Sequence, residues 1–169
     1  MDLKIVNGLV VALIAFITYI VFSGSITTYD IITGVIVSLV TGFIFSTITL
    51  SNPRKALNPK RWALFVIYAL RYLIIDETKA HVDVIKRILH PKTPVNPAIV
   101  KVPFNVSTDY AITAIANSIT NTPGTVVVDV DEKGKVFYVH WIDAKTLEPE
   151  KAREAISSVF EKYAGNMFD

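Results

Sequence analysis

Residues 5–50 read IVNGLVVALIAFITYIVFSGSITTYDIITGVIVSLVTGFIFSTITL, and the architecture turns on them. Two apolar runs flank a weakly polar joint, Ser23 to Tyr29. The first, Ile5 to Phe22, holds 18 residues and the second, Ile31 to Leu50, holds 20, with no charged side chain in either. At about 1.5 Å of rise per residue these helices reach roughly 27 and 30 Å, the thickness of a bilayer's hydrocarbon core. A helix of a soluble protein keeps a polar face for water, and neither run has one. A cleaved signal peptide is the competing reading for the first run. Lys4 beside Asp2 is a weak basic start, no clear small-residue cleavage site follows, and the second run comes at once. The stretch predicts a membrane hairpin with spans over about 5–22 and 31–50.

Composition agrees. The chain has 169 residues, 51% of them hydrophobic, with a mean hydropathy of +0.44, which suits one part in lipid and one small part in water. Charge is split unevenly: residues 1–97 carry 10 Lys and Arg against 5 Asp and Glu, and residues 98–169 carry 7 against 10. The basic half is the membrane half, where it meets anionic headgroups, so nucleic acid is not an expected partner. There is no cysteine, which excludes disulfides and cysteine-ligated zinc or iron–sulfur clusters within this chain.

Arg54, Lys55, Lys60 and Arg61 follow the second run, and the joint between the runs holds no Lys or Arg. Positive charge stays inside, so the N-terminus and everything after the hairpin are expected to be cytoplasmic. From about 61 to 89 the chain has no Gly or Pro and predicts a third, long helix that Pro91 stops. Its first half, Trp62 to Ile75, is apolar but short for a span and contains Arg71; its second half is amphipathic. The expectation is a helix at the cytoplasmic boundary or packed on neighbouring membrane subunits, with Trp62 and Arg71 as anchors and Arg71 reaching headgroups or an acid; a third span is the alternative. Residues 90–97, with Pro91, Pro94 and Pro97, read as a stiff linker.

The domains are therefore a membrane region over 1–97 and a cytoplasmic α+β domain over 98–169. In the latter, Ile99–Phe104 reads as a strand and Thr108–Asn121 as a helix capped by Ser107 or Thr108. Thr125–Asp131 and Val136–Ile142 form a strand pair, with Gly134 supplying positive φ in its turn. A last helix carries Ala152, Ala155, Ile156, Val159, Phe160 and Tyr163 on one face. The order β-α-β-β-α is a ferredoxin-like arrangement short of its final strand.

Little here carries chemistry. The spans contain no acid or lysine away from Asp30 at the outer edge, which reads as a helix N-cap. His81, His90 and His140 have no metal-ligand spacing. Asp129 and Asp131 share a strand face but have no base-and-substrate setting, and no phosphate loop, nucleophile elbow or H-E-x-x-H run occurs. No catalytic, cofactor or metal residue is assigned. Gly34, Ser38, Gly42 and Ser46 do stand out as small residues at every fourth position of the second run, echoed by Gly8 and Ala12. Such a stripe lets helices approach closely and serves as a packing interface for a partner subunit or for the first span.

The run Asn117-Ser-Ile-Thr-Asn-Thr-Pro-Gly-Thr-Val-Val-Val-Asp-Val130, followed by Tyr138-Val-His-Trp-Ile-Asp143, resembles the E-type component of Mrp-type, or Mnh-type, multi-subunit cation/proton antiporters. The likeness extends over nearly the whole chain, and related subunits occur in archaeal membrane-bound hydrogenase and sulfur-reductase complexes. It implies a non-catalytic accessory subunit of a sodium (cation)/proton antiport assembly in the cell membrane, without cofactors of its own, with other membrane subunits and the lipid bilayer as partners. The rival from another class is a free-standing membrane-anchored sensor whose C-terminal domain binds a small ligand.

Overall fold

The computed structural model describes residues 3–46, 48 and 52–169. The expected end of the second span at Leu50 and the side chain of Arg54 lie outside the described residues. The chain forms two compact units, Met1–Pro59 and Lys60–Asp169.

The first unit is a helical hairpin. Helix α1 covers Leu3–Ser23 and α2 covers Thr28–Phe45, joined by a turn in which Gly24 has φ +64°, a conformation that glycine takes without strain. Both are long and apolar enough to cross a membrane, and only 22% and 17% of their residues are buried, far too few for core helices of a soluble protein. The second helix starts three residues before the expected Ile31 because Thr27, not Asp30, is the N-cap. Asp30 sits at the third helical position, its carboxylate accepts from the Thr27 backbone N–H at 3.1 Å, and Thr27 Oγ1 accepts from the Asp30 N–H at 3.3 Å, a reciprocal capping box. A short helix α3, Pro53–Ala56, follows.

The second unit begins with the third helix, which is continuous but not uniform: α4 covers Pro59–Arg71, a π-helical turn covers Tyr72–Asp76, and α5 covers Glu77–Leu89. Strand β1 (Ala98–Pro103), helix α6 (Asp109–Asn121), strands β2 (Thr125–Asp131) and β3 (Val136–Trp141), and helices α7 (Pro149–Ile156) and α8 (Ser158–Phe168) complete it. The sheet is antiparallel in the order β1-β3-β2, with Val100 opposite Val139 and Val127 opposite Val139 on the other side. A bulge interrupts β2 between Val127 and Asp129. Alternation sends Val100, Val102, Phe137 and Val139 inward, where they meet Ala111, Ile115 and Ile119 of α6 and Phe160, Ala164 and Met167 of α8. Complete burial of Ile115 and Ile119 contributes about 1.5–3 kcal/mol each.

Three sequence expectations change and a fourth is extended. The domain boundary expected between residues 97 and 98 falls instead after Pro59, because Tyr68 and Tyr72 of the third helix belong to the α+β core. Residues 90–97, expected as a stiff linker, are also tied to the domain: Asn96 donates to Ile142 O and exchanges hydrogen bonds with Ala144. The last helix is two helices, broken at the fully buried Ser157, so that α7 lies on β1 while α8 packs on α6 and Ala155 is exposed. In the β2–β3 turn, Lys135 rather than Gly134 takes positive φ (53°), and the Gly134 N–H donates to Asp131 Oδ1 at 2.8 Å.

Candidate functional site: two packing seams

The first seam joins α1 to α2. Gly34, Ser38 and Gly42 are the buried residues of α2, and Ser46 is buried just beyond it. A Cβ on Gly42 would come within 2.4 Å of Gly8 O and 2.8 Å of Ala12 Cβ, and one on Gly34 within 2.8 Å of the Tyr19 ring. The two backbones touch where Gly8 and Gly42 face each other, and only glycine permits that approach. The stripe is thus occupied within the chain by α1. Ile32, Val35, Ile36, Leu39 and Phe43 of the same helix stay exposed.

The second seam joins the third helix to the α+β domain. Leu64, Tyr68 and Tyr72 follow one another at four-residue steps and are buried or half-buried against Phe160, Tyr163 and the end of α6. Beyond Tyr72 the inward residues are Glu77, Val84 and Arg87. The step from Tyr72 to Glu77 is five residues, which is the repeat of a π turn. Tyr72 Oη donates to Glu77 Oε1 at 2.6 Å across that turn. At the far end, Arg87 reaches Asp143 at 2.7 Å while its Nε donates to Asp83 at 2.8 Å. Lys145 and Arg87 hold the Asp143 carboxyl below the usual range.

The signature run supplies the other half of this seam. Ser118 Oγ bonds to Tyr68 Oη and donates to Ala114 O; Thr122 Oγ1 donates to Ser118 O at 2.7 Å and lies 3.4 Å from Tyr72 Oη. Asn121 Nδ2 donates to Tyr72 Oη at 3.2 Å. Thr125 Oγ1 donates to Ile119 O at 2.7 Å, and Thr120 Oγ1 accepts from the Val127 N–H, which ties α6 to β2. Gly124, at φ +98°, lies where a Cβ would come 3.1 Å from Ile142 and 3.7 Å from Val84, so the loop closes on α5. Burial pushes the Tyr68 phenol up to about 12, and burial with the Glu77 hydrogen bond pushes Tyr72 up as well.

Of the two anchors expected on the third helix, Trp62 is 51% exposed and sets its ring edgewise to Phe65. Arg71 is half-buried and its Nε donates to Asp76 at 3.3 Å, an acid on its own helix. Sequence reasoning misses Tyr68, Tyr72, Arg87 and Asp143 as seam residues. Their signal is present in the four-residue spacing of Leu64, Tyr68 and Tyr72, but the π turn breaks that period before Glu77. His81 lies beside Glu77, His90 accepts from the Lys92 N–H, and His140 stands on β3, so the three do not meet. No group of three His, Cys, Asp or Glu among the described residues is placed to hold a metal ion.

An apolar hairpin closed on itself and a small domain clamped to a helix by hydroxyls and aromatic rings define a membrane-associated interaction protein. The family model for the Na+/H+ ion antiporter subunit matches residues 12–167, and the chain belongs to that family, MNHE. The E1 component of the Na(+)/H(+) antiporter of Staphylococcus haemolyticus is 34% identical over 154 residues, 89% of each chain. The E component of the Na(+)/H(+) antiporter of Alkalihalophilus pseudofirmus is 32% identical over 165 residues, 96% of each. A chain of the membrane-bound sulfane sulfur reductase, an archaeal respiratory membrane complex, superposes with a TM-score of 0.85 at 33% identity, covering 96% of this chain and 99% of that one.

Proposed function

We propose that this chain is a non-catalytic accessory subunit of a multi-subunit membrane assembly that exchanges a cation, sodium foremost, for protons, either as a stand-alone antiporter or as the antiport module of a respiratory complex. The observation that carries this is the extent of the family match, which takes in the hairpin and the α+β domain together. The second seam supports an accessory role, because Tyr68 bonds Ser118 and Tyr72 bonds Glu77 and Asn121 across it or along it. Family membership favours an assembly over a free-standing sensor. The hairpin holds the subunit in the cell membrane, and the α+β domain lies on the cytoplasmic side, a placement supported by Lys55, Lys60 and Arg61 after the hairpin and by a turn without Lys or Arg. The strand order β1-β3-β2 supports a ferredoxin-like domain that lacks its final strand.

The test is purification from native membranes through a tag on this chain. Many-span antiporter subunits are expected to come with it, and loss of the chain is expected to lower exchange in step with the amount of intact complex. Recovery of the chain alone, with exchange intact in its absence, would sink the proposal.

A further inference from the structure

One side of the third helix is committed to the domain, and its other side is not. Tyr68 and Tyr72 are each 9% exposed, while Trp62, Phe65, Val66, Leu70, Leu73 and Ile74 are between 48% and 65% exposed and carry no charge among them. Six exposed large apolar side chains on one helix mark a contact surface. It is not the surface of a third span, because Ser118, Asn121 and Thr122 pack on the helix's inner side and would enter hydrocarbon with it. Trp62 stands in the first turn of this helix, an aromatic ring of the kind that settles at a membrane–water interface.

The sign of the charge beyond the patch selects the occupant. Lys79 and Lys86, two turns apart on α5, border an open groove of about 510 Å³ whose other lining residues include Ile74, Ile75 and Val82. The groove's one acid, Asp83, is engaged by Arg87 in a two-pronged pair at 2.8 and 3.1 Å. The two lysines therefore face outward as cations beside an apolar floor, the arrangement of a helix lying in an anionic lipid interface. We propose that the outer face from Trp62 to Ile74 lies in the bilayer interface, parallel to the surface, and that Lys79 and Lys86 bind acidic headgroups. This rests on the membrane placement of the hairpin and not on the identity of the assembly, so the two readings fail separately.

The absence of native cysteine permits single nitroxide labels at Phe65→Cys, Leu70→Cys and Ile74→Cys in the full chain, in nanodiscs of phosphatidylcholine with or without phosphatidylglycerol. Accessibility to oxygen against a water-soluble nickel complex reads depth. The expected result is one shallow depth for all three labels, greater with phosphatidylglycerol than without, and loss of that difference in the Lys79→Gln/Lys86→Gln chain. A crossing helix would instead spread the labels over about 13 Å, nine residues at 1.5 Å each, and that gradient would overturn the proposal. Labels open to water in both discs, then shielded on addition of the antiporter subunits, would overturn it in favour of a protein partner. A shallow depth indifferent to phosphatidylglycerol would overturn the headgroup assignment. A Lys133→Cys label in the β2–β3 turn should stay in water throughout. As a measurement free of labels on the patch, Trp62 fluorescence in a Trp141→Phe chain is expected to be quenched by interfacial brominated lipid; absence of quenching would count against the proposal as a whole.

Discussion

Tyr68 shows what a single side chain contributes here. Its ring packs between Tyr163 and Phe160 and its hydroxyl meets Ser118, so Tyr68→Phe keeps the ring contacts and removes one buried hydrogen bond. A loss of about 1 kcal/mol is expected in chemical denaturation, since Ser118 Oγ keeps Ala114 O as its acceptor. The phenol also sets an alkaline limit. Its folded value is raised to about 12 from 10, so its neutral form is favoured by folding; the stability this brings is complete below pH 10 and is lost as pH rises from 10 towards 12. Melting temperature against pH is expected to fall more steeply over that window in the native chain than in Tyr68→Phe. At the other seam, Gly42→Leu is expected to separate α1 from α2 and to reduce the yield of folded chain in detergent, while Leu39→Ala, on an exposed position, changes little. Gly42 stands out in the sequence as one of the small residues at every fourth position of an apolar run. Tyr68 does not, because an aromatic residue in an apolar segment looks the same whether it faces lipid or a domain.

At the scale of elements, the π turn keeps two helical halves in phase with one domain. Leu64, Tyr68 and Tyr72 advance by four residues each, which drifts around an α-helix; the five-residue step to Glu77 returns Val84 and Arg87 to the seam. Inserting an alanine after Ile75, beyond the one extra residue that the π turn already absorbs, is expected to rotate α5 by about 100° relative to α4, parting Arg87 from Asp143 and lowering the melting temperature more than Ile75→Ala does. The break at Ser157 has a similar logic. Arg153 on α7 bonds both oxygens of Glu161 on α8, at 2.8 and 3.0 Å, and Glu161 also accepts the Asn105 N–H. Arg153→Ala is expected to destabilise the chain by about 3 kcal/mol, because it leaves the buried Glu161 carboxylate with one donor. Strands β1 to β3 were legible to within a residue from alternation and turn residues. The break at Ser157 was not, since the apolar period of Ala152, Ile156, Val159 and Phe160 runs through it, and the π turn was not, since no Gly or Pro marks it.

For the molecule as a whole, charge and hydropathy located the hairpin, yet they assigned the third helix to the membrane half, although its aromatic stripe completes the core of the α+β domain. Hydropathy cannot separate a residue that faces lipid from one that faces protein, and the helix has one side for each kind of surrounding. The hairpin itself carries no Asp, Glu, Lys, Arg or His deep in its spans. Asp30→Asn and Arg71→Gln are therefore expected to leave exchange per assembled complex unchanged, as measured by ion flux normalised to intact complex in vesicles. A fully assembled Asp30→Asn complex without flux would put this subunit on the ion path.

The bulge in β2 has a further consequence. Strands β1 and β2 each pair with β3 alone, so the sheet presents two outer rims on which another copy's strand could grow. Where β2 kinks between Val127 and Asp129, and where Asp129 and Asp131 put negative charge on it, a flat template for polymerisation is lost; Pro103 and Lys101 blunt β1 in the same way. Neither rim therefore offers another copy a long, straight and uncharged strand to pair with, which disfavours growth of the sheet from one molecule into the next.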